Sequence, residues 1–129
     1  MPRVIHFEIH ADEPDRAMAF YSAVFAWQFD RFKGDAPYWL CTTDAPGTPG
    51  IDGGLVQRRG GRPEAMAAVN GYVCTIDVPN VDEYVAKVEA NGGTRAMEKF
   101  AVAGVGWVAY CKDTEGNLFG LMQADPEAA

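Results

Sequence analysis

The sequence predicts an α+β fold built from two tandem βαβββ modules, and three observations carry that prediction. The grammar of the first half (strand, turn, amphipathic helix, strands) is repeated in the second. The tetrapeptides Gly54-Leu55-Val56-Gln57 and Gly120-Leu121-Met122-Gln123 stand at matching places and differ at one position. The chain of 129 residues is also long enough for one ordinary core and too short for two independent domains.

The first module opens on Val4-Ile5-His6-Phe7-Glu8-Ile9, whose β-branched and aromatic content predicts a strand. Asp12, Glu13, Pro14 and Asp15 make a turn. Pro14 suits the first turn of a helix, and Asp12 beside it is the candidate N-cap. Ala17, Phe20, Tyr21, Val24 and Phe25 then recur at helical spacing, with the helix expected to end near Ala26-Trp27. Tyr38-Trp39-Leu40-Cys41-Thr42 and Gly54-Leu55-Val56-Gln57 are strands on either side of a Pro/Gly loop. Gly50-Ile51-Asp52-Gly53-Gly54 reads as a hairpin or bulge, because no helix follows it to lend a positive end to a phosphate.

The second module repeats this order. Tyr72 to Val78 is a strand, Pro79-Asn80 a turn, and Val81, Tyr84, Val85 and Val88 form the apolar stripe of a helix. Asn91-Gly92-Gly93 stops that helix, since glycine takes the left-handed conformation without strain. Phe100-Ala101-Val102 gives a short strand. Trp107 to Cys111 and Gly120 to Gln123 are strands around the turn Asp113-Thr114-Glu115-Gly116-Asn117. The expected organisation is a single domain over residues 1–129, with modules at about 1–57 and 71–125. The linker at 58–70 is marked by Gly60, Gly61 and Pro63. Neither module is expected to have enough apolar surface for a private core.

Hydrophobic residues at 48% and charged residues at 22% are those of an ordinary globular protein, which argues against disorder or a fibrous repeat. No apolar stretch approaches the ~20 residues that span a bilayer, and no basic-then-apolar leader opens the chain, so a cytoplasmic protein without membrane contact is expected. Eleven basic residues against 18 acidic ones give a net charge of −7. Nucleic-acid binding needs clustered cationic charge that this balance lacks. Arg58, Arg59 and Arg62 lie among glycines and read as a loop. Cys41, Cys74 and Cys111 are too far apart for a CxxC motif, and each falls in an apolar strand, so buried, inert thiols are expected.

His6-Phe7-Glu8-Ile9, Asp12, Arg16-Ala17, Phe20-Tyr21 and Phe25-Ala26-Trp27 resemble the opening of the vicinal oxygen chelate superfamily. That superfamily comprises glyoxalase I, bleomycin-resistance proteins and extradiol dioxygenases. Asn91-Gly92-Gly93 and the run from Asp113 to Leu121 resemble its second half, particularly the bacterial glyoxalase-like subgroup. The resemblance covers nearly the whole chain. It implies paired modules curled into an open half-barrel around a cavity, and a homodimer.

Glyoxalase-type members hold a divalent metal with four side chains, and the resemblance places His6 at the first of these positions. Val73 stands at the equivalent position of the second module, and the carboxylate positions fall on Gly54 (or its neighbour Gly53) and on Gly120. Valine cannot coordinate, and glycine offers only backbone, so no metal cofactor is expected. The alternative is an improvised His6–Glu8–His10 set, three same-face residues of one strand, which suits a metal poorly.

Glycines at the carboxylate positions are expected to enlarge the cavity. The ligand-binding residues would be His6, Glu8, Gly54, Trp107, Gly120 and Met122, with Trp39, or Tyr38 in the other register, completing the wall. Aromatic walls and acidic charge suit an aromatic or cationic guest. The expected function is binding of a small organic molecule without a catalytic metal, as in bleomycin-resistance proteins. A lyase or isomerase using His6 and Glu8 as acid and base, with or without a recruited divalent metal, is the alternative. A dimeric interaction module is a third reading.

Overall fold

The computed structural model describes residues 2–64, 71–112, 114 and 117–129. The expected linker therefore lies outside the described residues over 65–70, as do Asp113, Glu115 and Gly116 of the last turn. Contacts divide the chain into two compact units. One is His6–Val73; the other is Cys74–Ala129 together with the chain's opening residues up to Ile5.

In the first unit the elements are β1 (Arg3–Ala11), α1 (Pro14–Phe25), β2 (Gln28–Arg31), β3 (Tyr38–Thr42) and β4 (Gly53–Gln57), where β1 begins before the unit does. The strand order is β2-β3-β4-β1, with β1 parallel to β4 and the other pairs antiparallel. Ile9 and Trp39 both stand opposite Leu55. Pleating puts every second residue on one face, so these three share it. Ile9, Ala11 and Leu55 form the buried cluster, with Phe7, Ala17, Tyr21, Trp27, Phe29 and Trp39 packed against it.

Helix α1 starts and stops differently from the sequence reading at one end only. Glu13 occupies the N-cap position and its side chain makes no capping bond. Asp12 is not the cap: its carboxylate accepts from Arg58 Nε at 2.8 Å and pairs with Arg62 Nε at 3.2 Å. A charge-assisted bond to a guanidinium outcompetes a neutral amide for the same oxygens. Arg16 pairs with Glu13 of the acidic turn. At the far end Ala26 takes the left-handed conformation at φ 62° and donates its N–H to the Ser22 carbonyl. Strand β2 follows at once; its sequence Gln-Phe-Asp-Arg hides it from a pattern reading.

The second unit contains β5 (Tyr72–Asp77), whose first two residues belong to the first unit, then α2 (Val81–Ala90), β6 (Thr94–Arg95), β7 (Phe100–Val102), β8 (Gly106–Lys112) and β9 (Leu118–Ala124). Its order is β5-β9-β8-β6, and β7 also pairs with β8. Strand β5 runs parallel to β9, and the remaining pairs are antiparallel. The Asn80 side chain caps α2 by accepting the Glu83 N–H at 2.9 Å, and Gln123 Oε1 accepts that of Val81. Val81 and Val85 of α2 bury themselves with Val78, Ala109, Cys111 and Leu121. Each unit has a small buried cluster of its own.

Two of the three cysteines are buried as expected, Cys41 and Cys111, whereas Cys74 is exposed because it alternates with the buried Val73 and Thr75. Burial raises the Cys41 thiol pKa to about 11 and also raises that of Cys111.

Leu55 is fully buried, so Leu55→Ala is expected to cost about 2–5 kcal/mol, read as a lower urea midpoint at unchanged slope. Val105, 41% exposed, serves as the control: its alanine variant should stay within about 0.5 kcal/mol of the parent.

Candidate functional site

Strand alternation in β1 sends Phe7, Ile9 and Ala11 into the core and leaves His6, Glu8 and His10 on the other face. Glu8 stands opposite Gly54 of β4, and His10 opposite Val56. The register also separates the two neighbouring glycines. A side chain on Gly53 would run into the Phe7 ring at 2.6 Å, on the core side, whereas Gly54 belongs to the Glu8 face.

Tyr38 occupies the room that Gly54 leaves. A Cβ at position 54 would overlap the Tyr38 phenol oxygen and Cζ. That phenol shares a hydrogen bond of 2.8 Å with His6 Nε2. The enlarged hollow expected from a glycine at this position is therefore filled on this side by a tyrosine from the neighbouring strand. Trp39, the next residue, points the opposite way and packs on Leu55 and Ile9, with Arg31 over its ring at 5.4 Å. Trp39 is a core residue and not a partner of His6; Tyr38 takes that place.

The second unit has a looser counterpart. Tyr110 stands opposite Gly120, and a Cβ on Gly120 would meet Thr75 Oγ1 at 3.1 Å and Tyr110 Cε1 at 3.3 Å. Met122 lies two residues along β9 on the same face as Gly120. Trp107 does not: it packs against the core cluster, donates its indole N–H to Asp125 Oδ2 at 3.0 Å and lies under Lys99. Its assignment to the Gly120 face is corrected by the parity of β8, which puts Tyr110 there instead. Val73 is buried and apolar.

Burial lowers the pKa of His6, against the opposing influence of the Glu8 and Asp52 carboxylates. His10 is lowered for the same reason, with Arg58 and Arg59 adding to the effect and Glu8 opposing it. Its Nε2 is buried without a hydrogen-bond partner among the described residues. Both imidazoles are thus neutral near pH 7.

The residues present do not fit a glyoxalase-type divalent metal. Of the four positions only His6 has a donor side chain, and its Nε2 is engaged by the phenol. Among the described residues no group of three or more His, Cys, Asp or Glu side chains is placed to hold an ion. The His6–Glu8–His10 set fails on distance: same-face residues of a strand are spaced about 6.6 Å apart, too far for all three to reach one ion.

Cavities among the described residues of the first unit lie away from this face. One, of about 330 Å³, lies between the start of α1, the end of β1 and the segment after β4; another, about 150 Å³, is enclosed by loop residues 43–52. Neither is lined by His6 or Glu8.

The sequence matches the family described as a glyoxalase-like domain over residues 6–122. Among solved structures, a hypothetical protein from Bacillus halodurans C-125 is similar at a TM-score of 0.68 and 13% identity, covering 99% of this chain and 98% of its own. Methylmalonyl-CoA epimerase from Mycobacterium tuberculosis is similar at 0.64 and 16% identity, covering 95% and 88%. A Streptomyces coelicolor methylmalonyl-CoA epimerase in complex with 2-nitronate-propionyl-CoA gives 0.66 and 15%, covering 98% and 97%. These likenesses show the α+β fold of tandem βαβββ modules. No curated protein matches the sequence.

The lowered histidine pKa values have a sign that stability measurements can check. The unfolded chain binds protons first as pH falls, so stability present above the ordinary histidine value of about 6.5 is lost between there and the lower folded-state values. The urea midpoint is expected to fall between about pH 7.5 and 5.5, and to fall less in His6→Gln.

Proposed function

The chain belongs to the glyoxalase-like domain family, and from that premise we propose that it binds a small organic molecule at the face carrying His6, Glu8 and Gly54, without a catalytic metal. The observation that carries this reading is the bond between Tyr38 and His6 Nε2 across Gly54. A phenol stands where an ion would need an open nitrogen lone pair and a carboxylate. In the second unit, Gly120 and Met122 are proposed to contact ligand from the face they share with Tyr110.

The charges around His6 favour a cationic or aromatic guest. Glu8 and Asp52 both act on His6 as negative charges, and Tyr38 adds a π-face. A lyase or isomerase is the second reading. It is favoured by a neutral imidazole that is held by a phenol and shares its strand face with a carboxylate, the group types of general acid–base chemistry. His6 and Glu8 are the proposed catalytic residues in that case.

The wider setting proposed is a single-domain, cytoplasmic protein that forms a homodimer and binds neither nucleic acid nor membrane. Among the described residues no helix is long and apolar enough to cross a membrane. A homodimer is supported by the end of α1, where Val24 and Phe25 are each more than half exposed.

Elemental analysis of untagged protein, purified without chelator, is expected to find no stoichiometric divalent metal; metal that disappears in His6→Ala would overturn the metal-free reading. Cationic aromatic compounds are expected to raise the melting temperature by several degrees at saturating concentration, with a smaller rise in Tyr38→Phe. Consumption of a bound compound that stops in His6→Ala would decide for the enzyme. Light scattering should give twice the 14.0 kDa chain mass, falling towards one chain in Phe25→Glu.

A further inference from the structure

The cavity of about 330 Å³ beside α1 has a chemistry of its own, separate from the His6 face. Its wall is apolar, formed by Ile9, Ala11, Ala17, Phe20 and Tyr21. Its rim is ionic: Arg16, Arg58 and Arg62 against Asp12 and Glu13. Three guanidiniums face two carboxylates, so the rim is positive in a chain whose net charge is −7.

The pairing geometry says how that surplus is presented. Asp12 lies between Arg58 and Arg62 and meets each through its Nε, at 2.8 and 3.2 Å. Arg58 spends one further nitrogen on the His10 carbonyl at 3.1 Å, which anchors it. Its side chain is only 16% exposed, whereas that of Arg62 is 71% exposed. Arg62 is bound through one nitrogen of a group that can offer a carboxylate two parallel donors. Beside it, Phe20 is 57% exposed, an aromatic surface more than half open.

We propose that this cavity is a second binding site, for a small carboxylate with an apolar or aromatic body. The carboxylate is held by Arg62 and the anchored Arg58, and the body lies against Phe20 and Ala17. A cavity of this size is at the lower end of those that hold small organic ligands, and a few placed polar groups on apolar walls is the usual arrangement. This proposal does not depend on ligand binding at the His6 face.

Isothermal titration with phenylacetate tests it, with phenylacetamide and phenethylammonium as neutral and cationic probes of the same shape. Phenylacetate is expected to bind saturably and at least tenfold more tightly than either. Arg62→Gln should weaken it about tenfold, the worth of a charge-assisted pair. Phe20→Ala should weaken it severalfold, and Tyr38→Phe should leave it unchanged. The two cavity positions are exposed, so their variants should fold, which circular dichroism checks. Absence of saturable binding, equal binding of the three probes, or indifference to Arg62→Gln would overturn the proposal. So would loss in Tyr38→Phe, which would place the carboxylate at the His6 face instead.

Discussion

The absence of a side chain at position 54 is the constraint on which the chemistry of the first unit depends. Without a Cβ there, the Tyr38 ring crosses β4 and its phenol reaches His6 Nε2. Parity then follows: with Tyr38 on the His6 face, Trp39 must turn to the core and complete the cluster around Leu55. One small residue therefore fixes both the polar partner of an imidazole and the packing of an indole. Gly120 also borders a tyrosine in the second unit, but Tyr110 stands directly opposite it, whereas Tyr38 stands opposite Val56 and crosses to Gly54.

Electrostatics explains why such seating is worth keeping. A buried imidazole costs free energy if charged and still costs some if neutral and unbonded. The phenol lowers that cost for His6 by supplying a partner inside the protein. His10 shows the other case, a buried Nε2 with no partner among the described residues. Along β1 the surroundings become mixed: carboxylates act on His6, while at His10 Arg58 and Arg59 oppose Glu8. Asp12, two residues further on, is tied to two arginines.

Much of this was legible in the sequence because repetition is a strong signal. Both helices, the paired tetrapeptides and the face shared by His6 and Glu8 follow from spacing and alternation, while the place of Gly54 beside them is what the family resemblance implied. The register of β3 does not, since adjacent Tyr38 and Trp39 are equally plausible occupants of either face until the pairing with β4 is known. Trp107 was misplaced for the same reason: one step of parity in β8 exchanges it with Tyr110. Asp12 beside Pro14 has every mark of a cap, and its true partners lie 46 and 50 residues away, where no local pattern reaches. Strand β2 is short and polar and draws its existence from pairing with β3, a tertiary cause.

The two helices differ in a way that bears on how the molecule opens. Helix α2 is capped by Asn80 and buries Val81 and Val85, so its backbone is tied to the core of its unit. Helix α1 has no side-chain cap, buries no residue completely and ends on a strained alanine. Local opening draws on elements with few buried contacts. Amide protons of α1 should therefore exchange with solvent through a cheap, partial fluctuation, while those of α2 wait for a larger one. The repeat gives two helices at matching places in the fold and two different lifetimes in the closed state.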